Sequence, residues 1–240
     1  MAIKVAGFIN AKLEADHMET TEAIHGWRSI RRYKDVPVSD EALRAVLNAG
    51  RRAPSWENVQ PWHFIVIEED ETKSKLAELA SGQKFITKAP IVIAVCGDLS
   101  AWEKPKNKEA LMELAEAGVM KVNEEIIDKV MLNDPVFCVA ENGPAIILSR
   151  TFEQLGIAYG FMGIEAVNQG LGMCVVGALN SEVTGTKHEL YQEIKAELAI
   201  PDKMYLLTLL TLGVPAEEPK ARPRKAFDAI VSKGKIGRKL

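Results

Sequence analysis

The sequence predicts one β-sheet held between layers of helices, a sandwich of the α+β or α/β class. Helical and strand patterns follow one another in the order helix, helix, strand, helix, strand, helices, strand, helix, strand, which is how a layered sheet is assembled. Two of the strand segments, Pro90 to Cys96 and Tyr205 to Leu212, are almost wholly apolar, as strands covered on both faces are. The 240 residues, 47% hydrophobic and 26% charged, amount to one globular domain with a sizeable core and room for an insertion.

Each element has its own local argument. Residues 1–17 carry no strong periodicity. A helix is expected from about Glu19 to Arg31, with Ile24, Trp27 and Ile30 on one side. Ser39 followed by Asp40 and Glu41 reads as an N-cap with an acidic first turn. The helix it opens buries Leu43, Val46 and Leu47 and stops before Pro54. Trp62 to Ile67 reads as a strand and residues 70–81 as an amphipathic helix. Ser100 to about Gly143, rich in charge and helix formers, reads as a helical insertion. After Gly143 and Pro144 come a helix to about Leu155 and a buried one from Ile157 to Gln169. Gly160 and Gly163 leave room for another backbone, and Gly170 is the expected C-cap. A strand from Met173 to Val176, a helix ending near Leu198 and the last apolar strand complete the order. Pro215 to Leu240, with Ala226, Phe227, Ile230 and Val231 as its apolar content, is too polar to fold alone and suits docking on a partner subunit.

A formal net charge of −3 argues against nucleic acid as a partner, because backbone binding needs a broad basic surface. Any anion site must therefore be local. Cys96, Cys138 and Cys174 show no CxxC spacing and lie in or beside apolar runs, so they read as reduced, structural thiols. The N-terminal apolar stretch is broken by Gly7, Asn10 and Lys12, which supports neither a signal peptide nor a membrane span. A cytoplasmic location is expected.

Three segments carry candidate chemistry. RSIRRY, residues 28–33, groups Arg28, Arg31 and Arg32 with the Ser29 hydroxyl. That set suits a phosphate and equally suits a solvated basic patch at a helix C-terminus. APSWENVQPWHF, residues 53–64, is a polar, Pro-bounded loop running into a strand. Asn58 and Gln60 there offer paired donors and acceptors for the edge of a planar heterocycle, while Trp56 and Trp62 face either a ring or the core. ARPRKAF, residues 221–227, adds Arg222 and Arg224, and alone it looks like a soluble tail. His17, His25, His63 and His188 are scattered, with no HExxH and no hydrolytic triad. His63 reads as a core or interface residue and Glu165 as the partner of an arginine. Neither Gly160 nor Gly170 belongs to a GxGxxG motif, so no Rossmann site is expected.

Taken together, the three segments resemble the nitroreductase family of flavoenzymes, over about residues 20–98 and 157–231. The resemblance implies a three-layer sandwich with a central mixed, mostly antiparallel sheet. It also implies a homodimer with its active sites at the subunit interface. FMN is the implied cofactor, with Arg28, Ser29 and Arg31 on its phosphate and ribityl chain and Pro54, Ser55, Asn58 and Gln60 along the flavin. Val176 and Gly177 fall beside the reactive flavin nitrogen, and Arg222 and Arg224 add late phosphate contacts. The implied reaction is ping-pong hydride transfer from NADH or NADPH through FMN to a small-molecule substrate: a nitroaromatic, quinone or activated alkene. A flavin carrier or sensor without turnover is the alternative, as is a specialised member of the fold resembling dehalogenases or azoline oxidases. Residues 1–240 then form one domain, with the 100–143 insertion as a lid and 215–240 wrapping the partner. Two departures stand out: Trp27 occupies a position that is arginine in many relatives, and Trp56 and Glu57 replace small loop residues.

Overall fold

Four strands form a single sheet in the order β1 (Trp62–Ile67), β2 (Ile91–Asp98), β4 (Met204–Gly213), β3 (Gly172–Val176), and every neighbouring pair is antiparallel. The structure is a computed structural model that describes residues 18–185 and 188–240. The N-terminal segment before Met18, with His17 and the apolar stretch read above, lies outside the described residues. Alternation along β2 builds the layers, because successive side chains leave a strand on opposite faces. Ile91, Ile93 and Val95 pack against Val46 of α2 (Asp40–Arg51) and Leu155, Met162 and Ala166 of α6 (Pro144–Asn168). Val92, Ala94 and Cys96 meet Leu76 and Leu79 of α3 (Asp70–Leu79) and Tyr191 and Ile194 of α7 (His188–Glu197). The result is the expected three-layer α+β sandwich.

Ser39 caps α2 as its sequence predicts, its Oγ accepting from the Ala42 amide at 3.2 Å. The strands and α3 fall within two or three residues of their expected limits. Two helices differ. The first, α1 (Thr20–Gly26), stops five residues short of Arg31, and the chain continues extended. Ser29 bridges Met173 in parallel and the Ile30 amide donates to the Met173 carbonyl at 3.2 Å, so this segment runs beside the outer edge of β3 through an isolated bridge. Sheet hydrogen bonds and burial of Ile30 outweigh the local helical pattern. The pair expected over 144–155 and 157–169 is one continuous helix, α6. Gly156 costs a helix only about 1 kcal/mol, less than burial of Thr151, Leu155, Ala158, Met162 and Ala166 along its length returns. Gly170 ends α6 at φ 70°, with the Leu171 amide donating back to the Ala166 carbonyl at 2.7 Å.

The insertion holds α4 (Lys104–Glu116) and α5 (Glu124–Lys129), which bury Leu111, Ile127, Met131 and Leu132 in a cluster of their own. The three cysteines are free and buried. Burial pushes the Cys96 thiol up to about 12 and raises that of Cys174, so both stay protonated and inert. Among the described residues, no helix is long and apolar enough to cross a membrane and no cluster of side chains is placed to hold a metal.

Candidate functional site

The extended segment after α1 is pinned by two apolar side chains set over two glycines. A Cβ on Gly163 would lie 2.4 Å from the Trp27 indole, and one on Gly172 would lie 2.6 Å from Ile30. Gly163 therefore does permit a close approach, but by an indole where a backbone was expected, and Gly160 has nothing within 4 Å. With Trp27 and Ile30 held inward, Arg28, Ser29 and Arg31 line a cavity of about 290 Å³ together with Lys220, Arg222 and Arg224. Five cations and a hydroxyl thus converge from the two ends of the chain. Arg28 donates to the Trp27 carbonyl at 2.9 Å and Arg224 to the Arg222 and Pro223 carbonyls at 3.3 Å. Among the described residues none of the five forms an ion pair with a carboxylate. Such uncompensated charge, focused in a concave site, attracts an anion and fits a phosphate.

Glu217 is the residue that sequence reasoning missed. Its Oε1 accepts from the backbone amides of Arg31 and Arg32 at 2.6 and 3.1 Å, and its Oε2 pairs with Arg32 Nε at 3.3 Å. Further backbone hydrogen bonds, Lys34 to Val214 at 2.9 Å and Ala216 to Arg32 at 2.9 Å, complete the clamp between tail and N-terminal segment. Arg32, the third arginine of RSIRRY, is spent in this clamp and faces a neighbouring groove. An acid inside a basic tail is the only signal that pointed to Glu217.

The second expected segment forms a tight, strained loop. Glu57, Asn58 and Gln60 all adopt positive φ, at 47°, 58° and 44°, a left-handed conformation that costs non-glycine residues of order 1–3 kcal/mol each and collects at functional sites. Ser55 Oγ accepts from the Gln60 amide at 3.0 Å, the Trp56 amide donates to Gln154 Oε1 on α6 at 2.8 Å, and Trp56 Nε1 donates to the Phe137 carbonyl at 3.3 Å. Arg150 stacks over the Trp56 ring, 5.2 Å from its centroid. Glu57 accepts from Asn107 of α4 at 2.8 Å; burial raises its carboxyl above the usual range and the Asn107 hydrogen bond opposes that. Pro54, Ser55 and Asn58 join Trp56 and Glu57 in a second cavity of about 460 Å³, walled by Leu114, Met120, Met131 and Phe137 of the insertion.

Within one chain these two cavities do not meet. Ser29 sits beyond β3, four strand spacings from β1, or about 19 Å. Met173 is level with Leu212 and Ile91, whereas Trp62 is level with Gly97, a further offset of about 20 Å at roughly 3.4 Å per residue. The diagonal, roughly 28 Å, exceeds the length of a flavin mononucleotide.

Other expected residues are placed differently. Gln60 is exposed and lines neither cavity. Val176 is a core side chain, 3% exposed, because its strand position faces α3 and α7; Gly177 is exposed just past β3. Glu165 accepts from Asn168 and Gln169 and not from an arginine, since its carboxylate finds amide donors within its own last turn. His63 is exposed in this chain and so is no core residue.

The model of the Nitroreductase family matches residues 24–214. An "NADH dehydrogenase" from Thermus thermophilus is 30% identical over 207 residues, covering 85% of this chain and 90% of the relative. An "FMN reductase [NAD(P)H]" from Bacillus subtilis is 30% identical over 212 residues, covering 88% and 72%. Among solved structures, a nitroreductase family protein from Streptococcus pneumoniae superposes with a TM-score of 0.69 at 22% identity, covering 90% of this chain and all of the other. An NADPH:FMN oxidoreductase from Vibrio harveyi, complexed with NAD+, superposes with a TM-score of 0.64 at 19% identity, covering 90% and 77%.

Proposed function

Because the chain belongs to the nitroreductase family, we propose that it is an FMN-dependent oxidoreductase that uses NADH or NADPH to reduce a small organic acceptor such as a nitroaromatic, quinone or activated alkene. The observation that carries the reading is the convergence of Arg28, Ser29, Arg31, Arg222 and Arg224 on one cavity free of carboxylates. FMN, when bound, would supply the hydride chemistry of a ping-pong cycle between the nicotinamide nucleotide and the acceptor.

The protein's part is binding, orientation and exclusion of water. Arg28 and Arg224 would hold the phosphate through charge-assisted hydrogen bonds, with the Ser29 hydroxyl as a further donor. The loop from Pro54 to Gln60 would hold the flavin ring, with Asn58 as its polar contact, and the 100–143 insertion would serve as a lid that excludes water. Val176 and Gly177 act through their backbone alone. Because the cationic cavity and the loop of one chain stand too far apart, the complete site joins the cavity of one copy to the loop of a second, in a homodimer. Apolar residues left exposed on α6, Ile146, Phe152 and Phe161, and in the tail, Phe227 and Ile230, favour such an interface. The three unpaired cysteines favour the cytoplasm as the compartment.

The test is cofactor retention. Arg28→Ala and Arg224→Ala are each expected to weaken FMN binding by about tenfold or more, the worth of one charge-assisted contact. Unchanged flavin content in both purified variants overturns the assignment.

A further inference from the structure

The cationic cavity is made by two stretches of chain that are far apart in sequence. Arg28, Ser29 and Arg31 follow α1, whereas Lys220, Arg222 and Arg224 belong to the tail. Residues 220–230 are all exposed. Beyond Glu217, among the described residues, the tail's hydrogen bonds and ion pairs run only within the tail, as from Arg224 to the Arg222 carbonyl and from Lys239 to Asp228. Glu217 is therefore the last hydrogen-bonded tie between the tail and the rest of the chain. What it ties is the backbone of the phosphate segment itself: its Oε1 accepts from the successive amides of Arg31 and Arg32 at 2.6 and 3.1 Å, both charge-assisted bonds. Its ion pair with Arg32, a side chain 81% exposed, adds little. Glu217 lines the neighbouring cavity beside Arg28 and not the cationic one, so any effect it has on an anion there passes through other residues.

We infer that Glu217 is a positioning residue for the phosphate of the flavin nucleotide: by fixing the tail to the Arg31 and Arg32 amides, it brings Arg222 and Arg224 to an anion held by Arg28 and Ser29. The inference rests on the flavoenzyme reading above and adds the residue on which recognition of the phosphate depends. Without a ligand the cavity sets five cations side by side, and their mutual repulsion drives the tail away from the segment after α1. Glu217 opposes that separation. The sign of its effect on binding separates positioning from charge. As a charge, a carboxylate close to the site repels a phosphate, so its removal would tighten binding. As a positioning residue it must do the opposite, because a freed tail has to be ordered again each time the phosphate binds.

The test compares FMN with riboflavin, which is FMN without its phosphate, each titrated into the flavin-free full chain and followed by flavin fluorescence. Wild type is expected to prefer FMN by about a hundredfold, the worth of two charge-assisted contacts. Glu217→Ala is expected to weaken FMN about tenfold and to leave riboflavin within about threefold, because only the phosphate uses the tail cations. A merely structural role would weaken both flavins alike. Glu217→Asp keeps the charge and falls one methylene short of the two amides, so it is expected to behave like E217A. Glu217→Gln keeps the reach and an acceptor oxygen without the charge, and is expected to stay within about threefold of wild type. The Asp and Gln variants carry the test if E217A does not fold. A preference for FMN that is unchanged in E217A and E217D, FMN binding that tightens in E217A, or no difference between E217D and E217Q overturns the inference. The same titrations separate it from the reading it rests on. Wild type that binds neither flavin refutes the flavoenzyme reading, whereas wild type that prefers FMN, with the same preference in E217A and E217D, refutes only the role of Glu217.

Discussion

Gly163→Ala tests whether the cationic cavity is positioned by packing far from the charges themselves. The added methyl would stand 2.4 Å from the Trp27 ring, whereas carbon atoms rest about 3.5–4.0 Å apart. The indole must therefore retreat by more than 1 Å, and Arg28, the next residue, moves with it. Alanine returns about 1 kcal/mol of helix propensity to α6, against an overpacking cost of about 1–3 kcal/mol, so the expected loss of global stability is small, between about 0 and 2 kcal/mol. A displaced guanidinium loses the geometry of a charge-assisted bond worth about 1.5–3 kcal/mol, so FMN affinity falls by about tenfold to a hundredfold. Fluorescence titration of apoprotein with FMN, beside urea unfolding of the same samples, reads the two quantities separately. In a double-mutant cycle Trp27→Ala relieves the clash, and the pair shows coupling. G163A that binds FMN like wild type would refute the view that Trp27 over Gly163 sets the site.

Tyr33 ties the same segment to the sheet, its hydroxyl lying 2.6 Å from both the Ile30 carbonyl and Thr211 Oγ1. Tyr33→Phe is expected to cost about 1–3 kcal/mol in urea unfolding, because Thr211 is fully buried and loses its partner, and to loosen FMN; an unchanged unfolding midpoint contradicts this. Glu57 gives a pH prediction. Its carboxyl is raised in the folded protein by burial, against the Asn107 hydrogen bond, so the folded state binds the proton more tightly than the unfolded one. Its stabilising contribution is full below the ordinary carboxylate value of 4.5 and is lost as pH rises through the folded value. E57Q should therefore show a shallower decline of Tm as pH rises from the ordinary value of 4.5 to the raised folded value, measured by thermal melts, and an identical profile contradicts the linkage.

What was legible in the sequence was local. Ser39 and the acids after it marked the start of α2, and apolar runs marked β2 and β4, because capping and two-sided burial write themselves into adjacent residues. Ile24, Trp27 and Ile30 share a helical spacing, yet the last two bury against α6 and β3 through extended backbone, a choice made by Gly163 and Gly172 far along the chain. Gly156 read as a break because a helix of 25 residues gains most of its stability from tertiary burial. Within the candidate site, Arg28, Ser29, Arg31, Arg222 and Arg224 were found by charge and order and do line one cavity. Glu217 was not found, since its amide partners lie 185 and 186 residues away, and Val176 was drawn into the core by strand parity.

This chain is expected to hold FMN and to reduce it with a nicotinamide nucleotide. The most direct test is an anaerobic titration of the purified, FMN-loaded protein with NADH and then NADPH, following the flavin's visible absorbance. The yellow colour is expected to bleach with one equivalent of nucleotide per bound flavin and to return on addition of 4-nitrobenzyl alcohol. Protein that fails to retain added FMN would contradict the flavoenzyme reading outright, and protein that retains it unbleached by either nucleotide would contradict turnover and favour a flavin carrier or sensor.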